Sequence, residues 1–266
     1  MAYLYRAGRE RDFERYYTGW VSTLDNSKTQ PESTFSDAEK RGVYRAIYER
    51  RDIRSQFLPE PIPDDVLGRL LDAAHHGPSV GFMQPWDFIV IRDETVRRSV
   101  HECFLQANRL AASQYQGEQR ALYGSLKLAG ILDAPVNLCI TCDRERTRGS
   151  GLGRHSDPAT DLYSTACAVQ NLLLAARSES IGAGWVSILD FERLRDLLGI
   201  PAPVIPVAYL CLAYVSEFPA CPELESSGWE NRENLARLIH FDAWDGRDER
   251  RAAEFLPWRH SGGRLK

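Results

Sequence analysis

Arg50-Arg51-Asp52-Ile53-Arg54 gathers three guanidinium groups around one carboxylate, in a chain whose formal net charge is −4. A guanidinium is a planar, permanently charged fork that matches phosphate oxygens, so this locally cationic cluster is a candidate anion site. Taken alone it also reads as a solvated helix end, with arginines near the negative end of the helix dipole. A second stretch, Gly77-Pro78-Ser79-Val80-Gly81-Phe82-Met83-Gln84-Pro85-Trp86, joins two prolines, an amide and two large aromatics ahead of a strand. Such a loop can lay apolar surface and a polar group against a flat heteroaromatic ligand. In the third, Gly184-Trp185-Val186-Ser187, a glycine at a strand start permits close approach and leaves amides unpaired.

The elements that must position these residues follow from periodicity. Ser36 and residues 40–50 predict a first helix, and Pro59, Pro61 and Pro63 an extended connector. Asp64 starts a helix whose apolar face is Val66, Leu67, Leu70, Leu71 and Ala74, stopped by Gly77-Pro78. Strands are predicted at 86–91, 136–142, 184–189 and 205–215, and helices at 94–112, 118–130 and 160–178. Asp190 caps a short helix ending at Gly199. Helices dominate and no βαβ unit opens on a phosphate loop, so the fold class is α+β, a central sheet wrapped by helices. Gly149-Ser150-Gly151-Leu152-Gly153 imitates a dinucleotide fingerprint, but position 154 is arginine and Asp157-Pro158 interrupts any helix. Residues 144–158 therefore read as a flexible loop. His75-His76 suits helix capping rather than metal, because adjacent helical side chains diverge by about 100°.

An apolar fraction of 43% and a charged fraction of 26% describe an ordinary globular chain. No broad basic face is present, so nucleic acid is not an expected partner. No apolar run approaches the roughly 20 residues of a membrane span. Met1 to Arg11 lacks the apolar stretch of a secretory leader, and the expected location is cytoplasmic. The six cysteines are dispersed, and Cys139 and Cys142 share a strand on which residues three apart face opposite ways, so neither a disulfide framework nor a metal site is expected. Residues 1–38 read as a poorly ordered extension, 39–245 as the domain and 246–266 as a tail.

In this order the segments resemble the nitroreductase family of flavoproteins. The matching stretches are the arginine motif Arg50 to Arg54, the Pro-Ser…Gln-Pro-Trp motif Pro78 to Trp86, the strand start Gly184 to Ser187, and Arg232 near the C-terminus; together they span residues 40–240. The resemblance implies a central, mainly antiparallel sheet flanked by helices, in a domain-swapped homodimer with FMN at the interface. It implies that Arg50, Arg54 and Arg232 hold the FMN phosphate and that Arg51 reaches the ring or ribityl chain. Asp52, Ile53, Pro78, Ser79, Gln84, Trp86, Gly184, Trp185, Val186 and Ser187 complete the flavin-binding set. Two departures, Asp52 in place of serine and Phe82 in place of asparagine, resemble a branch in which reduced FMN is the substrate. That branch fragments it with O2 to 5,6-dimethylbenzimidazole, the lower ligand of cobalamin.

Asp52, whose ionised form the neighbouring cations should favour, would then be a general base toward ribityl protons, and Ser187 would act beside flavin N5 and C4a. Residues 108–130, with Tyr115 and Tyr123, would form a lid. NAD(P)H would act only through a separate flavin reductase. The alternatives are an FMN nitroreductase or dehalogenase that cycles its flavin with NAD(P)H, and a flavin-binding or storage protein that leaves FMN whole.

Overall fold

Val136–Asp143 carries apolar side chains on both faces and is buried along all but its last residue, which marks it as an interior strand. In the computed structural model, which describes residues 34–256, it is the second of four strands: Trp86–Ile91 (β1), Val136–Asp143 (β2), Ile181–Trp185 (β3) and Val204–Tyr214 (β4). They form one sheet in the order β1-β2-β4-β3, with every pairing antiparallel. The α+β expectation therefore holds. The chain divides into two units, Ala46–Ser227 and a second one from the flanking segments. The sheet lies wholly in the first.

Alternation along the strands sorts side chains onto two faces. Leu138, Ile140, Leu210 and Leu212 join one apolar cluster, whereas Cys139, Tyr209, Cys211 and Ala213 join another. In chain order the helices are α1 (Asp37–Glu49), α2 (Asp64–His75), α3 (Glu94–Ala112), α4 (Gly117–Ser125), α5 (Thr160–Ser178), α6 (Phe191–Leu198), α7 (Glu223–Ser226) and α8 (Glu249–Phe255). Val66, Leu67 and Leu70 of α2 and Val169 and Leu172 of α5 cover the first face. Val100, Cys103 and Phe104 of α3 and Leu194 of α6 cover the second.

Local chemistry explains the helix starts. Ser36 and Glu39 form a reciprocal capping box at α1, with the Ser36 backbone amide donating to Glu39 Oε2 at 2.7 Å. Asp93 accepts from the amides of Thr95 and Val96 to open α3, and Asp190 accepts from that of Arg193 to open α6. All six cysteines are free thiols. The buried Cys139 thiol is pushed up to about 12 by desolvation.

Three expectations change. The third strand runs over Ile181–Trp185 instead of 184–189, so Val186 to Leu189 leave the sheet after a single further bond, Val186 N–H to the Tyr209 carbonyl at 2.8 Å. The helix expected at 118–130 stops at Ser125, where Leu126 turns extended. Beyond it, Gly130 lies so close to the Phe57 ring that a Cβ there would collide. The 246–266 tail contains α8, capped by Asp248. Most of the extension expected at 1–38, residues 1–33, lies outside the described residues. Among the described residues no helix is long and apolar enough to cross a membrane, and no cluster of metal-ligating side chains occurs.

Candidate functional site

Asp52 and Ile53 cover the open edge of β3, the remedy an edge strand needs. Asp52 makes a parallel bridge with Ala183, and Ile53 N–H donates to the Ala183 carbonyl at 3.0 Å. Farther along, Phe57 bridges Val215, and Leu58 N–H donates to the Tyr214 carbonyl at 2.9 Å. The approach is so close that a Cβ on Gly184 would collide with the carbonyl oxygen of Ile53. The glycine is thus needed for the chain's own arginine segment, not only for a ligand.

This contact fixes Asp52. Its Oδ1 accepts from the Trp185 backbone amide at 2.7 Å, and its Oδ2 pairs with Arg54 Nη2. Arg54 Nη1 lies 3.9 Å from Glu223. The Asp52 side chain keeps 37% exposure with both carboxylate oxygens engaged. Its proton affinity departs from expectation: desolvation raises it above the ordinary carboxylate range, with Arg54, the Trp185 amide and Arg50 opposing. The cations are there, as the sequence indicated, but burial outweighs them.

The three arginines divide their work. Arg51 Nη1 donates to the carbonyls of Tyr48 at 2.7 Å and Arg50 at 2.8 Å, and Nη2 to that of Ala220 at 2.5 Å. Its fork closes the end of α1. Arg54 Nε is buried without a hydrogen-bond partner. The Arg50 guanidinium makes no hydrogen bond or close ion pair among the described residues and acts on Asp52 through its charge alone. Ser187 is exposed in the turn after β3.

The second cluster is built on the loop before β1. Ser79 Oγ accepts from the Gln84 amide at 3.1 Å, and the Val80 amide donates to Ser164 Oγ at 3.0 Å. Trp86 is buried, its indole N–H donating to His75 Nδ1 at 3.1 Å. His75 thus orients the tryptophan, while His76 Nδ1 lies 2.8 Å from the Asp72 carbonyl in the expected capping position. Phe82 is 72% exposed on left-handed backbone, φ 53°, an outlier for a bulky residue of the kind that gathers at ligand sites. Pro78 is exposed at the loop's start.

Residues 144–158, expected to be flexible, buttress this loop. A Cβ on Gly149 (φ 74°) would strike the Gly81 carbonyl. Arg146 donates to the carbonyls of Gln84 at 2.7 Å and Trp86 at 3.1 Å, and Arg148 to Gln84 Oε1 at 2.9 Å. Sequence reasoning missed Arg146 and Arg148 and absorbed them into a charged loop. The available signal was a basic run at 144–154 beside three glycines at alternate positions.

Trp86 opens one edge strand, whereas Asp52 lies outside the other. Four strand spacings, about 19 Å in all, separate them. Arg232 belongs to the second unit and is exposed just before the short turn Leu235–Leu238. In the segment expected as a lid, Tyr123 is buried, stacks on Tyr115 at 4.9 Å and donates to Asn108 Oδ1 at 2.6 Å.

The family model described as "Nitroreductase family" matches residues 47–214, which include both edge clusters. The chain belongs to the nitroreductase family. Among relatives in that family, 5,6-dimethylbenzimidazole synthase of Rhodospirillum rubrum is 37% identical over 198 residues, 74% of this chain and 93% of that protein. The protein of the same description from Rhodobacter capsulatus is 38% identical over 201 residues, 76% of this chain and 96% of that protein. The crystal structure of oxidized iodotyrosine deiodinase bound to FMN and 3-iodo-L-tyrosine matches with a TM-score of 0.60 at 19% identity, over 76% of this chain and 99% of that one. That likeness concerns the fold. The flavin that the nitroreductase fold implies suits the residues here: an Arg50 guanidinium free of hydrogen bonds among the described residues and a buried Arg54 Nε without a hydrogen-bond partner offer donors to an anion.

Proposed function

We propose that this enzyme is a 5,6-dimethylbenzimidazole synthase. The observation that carries the reading is the 36–38% identity to three proteins of that description over about three quarters of the chain. When bound, reduced FMN would supply the electrons that reduce O2 and the benzenoid ring, two nitrogens and one ribityl carbon of the benzimidazole, leaving the pyrimidine ring as a fragment that carries both oxygen atoms of O2 and the rest of the ribityl phosphate as a four-carbon sugar phosphate.

This chain's residues would do the rest. Arg50 and Arg54 hold the phosphate, and Asp52, anchored by the Trp185 amide, accepts ribityl protons at its carboxylate. Ser187 offers a hydroxyl at the flavin's edge. Ile53, Gly184 and Val186 keep the backbone of this half-site in place. Pro78, Ser79, Gln84 and Trp86 present the opposite wall, and Phe82 keeps that wall apolar. Because the two clusters lie at opposite sheet edges, we assign them to two half-sites, each completed by a second copy of the chain. A separate flavin reductase using NAD(P)H would deliver the reduced FMN.

The test is incubation of purified protein with reduced FMN in air, followed by mass spectrometry. Dimethylbenzimidazole should appear as FMN disappears. FMN recovered whole would point instead to a flavin-cycling nitroreductase.

A further inference from the structure

Gln84 is held at every acceptor. Its backbone is left-handed, φ 51°, its N–H donates to Ser79 Oγ, its carbonyl accepts from Arg146 and its Oε1 accepts from Arg148. An arginine has donors and no acceptor, so it dictates which end of the side-chain amide faces it: the oxygen. The amide NH2 must then point elsewhere. It donates to nothing among the described residues, and it is absent from the buried atoms that lack partners, so it keeps a path to the surface although the residue is only 8% exposed.

Arg148 is also set apart from its neighbours. Arg144 and Arg154 are paired with the buried Asp161, and Arg146 with Asp87 and Asp143. Among the described residues the exposed Arg148 meets no carboxylate, and the protein acceptor its guanidinium reaches is Gln84 Oε1. A charge-assisted bond of this kind polarises the amide and strengthens its remaining donors.

We infer that Arg148 is a positioning residue that locks Gln84 as a hydrogen-bond donor toward an acceptor edge of a planar heteroaromatic ligand, the FMN ring. The inference rests on the flavin reading above. With Arg148 removed, the amide is free to turn over and present oxygen to that edge.

The test is titration of the full-length protein with oxidised FMN, followed by flavin fluorescence and absorption. Arg148→Met should weaken binding about three- to tenfold, the worth of one hydrogen bond, and shift the bound-flavin absorption bands, with the melting temperature unchanged. Arg148→Lys, which still donates, should restore most of the affinity. In a Gln84→Ala background Arg148→Met should add nothing. Wild-type affinity and bands in R148M would overturn the inference, as would a full additional loss in the Q84A background, which would mean that Arg148 acts without Gln84. If R148M is silent while Arg50→Ala weakens FMN, the flavin reading survives and this one falls. If the wild type binds no FMN, both fall.

Discussion

Asp52 is held by two donors, yet its proton affinity is raised, and that combination has a pH consequence. Below its raised pKa the carboxyl is protonated and cannot accept a ribityl proton; above it the base is available. Product formation should therefore climb with pH through a midpoint above the ordinary aspartate value of about 3.9, then level off. The shift comes from desolvation working against Arg54, the Trp185 amide and Arg50. Asp52→Asn should keep FMN binding and lose both the product and this acid limb. Single-turnover mass spectrometry across pH checks it, and normal product from D52N would end the general-base role. Gly184 offers a purely structural prediction at the same scale. An added methyl must displace the Ile53 carbonyl, so Gly184→Ala should destabilise by about 1–3 kcal/mol, read from a urea unfolding curve. Because Ile53 follows Asp52, the same substitution should depress product formation.

At the scale of elements, caps and core can be separated from the site. Asp93 caps α3 through two amides and lies in neither edge cluster. Asp93→Ala should cost about 0.5–2 kcal/mol of stability and leave FMN affinity unchanged; an altered affinity would tie α3 to the flavin. This is also where the sequence was most and least legible. β1, α3 and α5 fall on their predicted residues because each carries its own signal: an apolar run, an aspartate cap or an uninterrupted apolar stripe. β3 was misplaced because Gly182 imitates a turn and so moved the expected start to Gly184. Gly182 makes room for Val215 and Ile53 and Gly184 for the Ile53 carbonyl, and Ile53 lies 129 and 131 positions away in sequence, which no local pattern encodes. The loop at 144–158 failed for the same reason, since its glycines answer to Gly81 and Val80. The arginine motif was legible as a charge cluster. That Arg51 serves carbonyls while Arg50 stays available depends on where α1 ends and on Ala220, both known only from the fold.

At the scale of the molecule, the sheet order separates the two clusters that the proposed site would unite. Asp52 and Trp86 lie about 19 Å apart across the sheet, farther than one planar ring can bridge, so a site using both clusters draws them from two copies related by a two-fold axis. Complementation tests this directly. D52N should be inactive for want of a base. Gln84→Glu should bind FMN weakly, because a carboxylate facing Arg148 offers no donor. In a mixed dimer one site carries both lesions and the other carries neither. If the two variants are unfolded and refolded together in equal amounts, about half the dimers are mixed and one of their two sites is intact. Activity should then return to about a quarter of the wild-type value, at an FMN concentration that loads the wild type but not Q84E. Homodimers of either variant remain inactive under those conditions. If both clusters instead served one site within a single chain, no mixed dimer would contain an intact site and the refolded mixture would stay as inactive as its components.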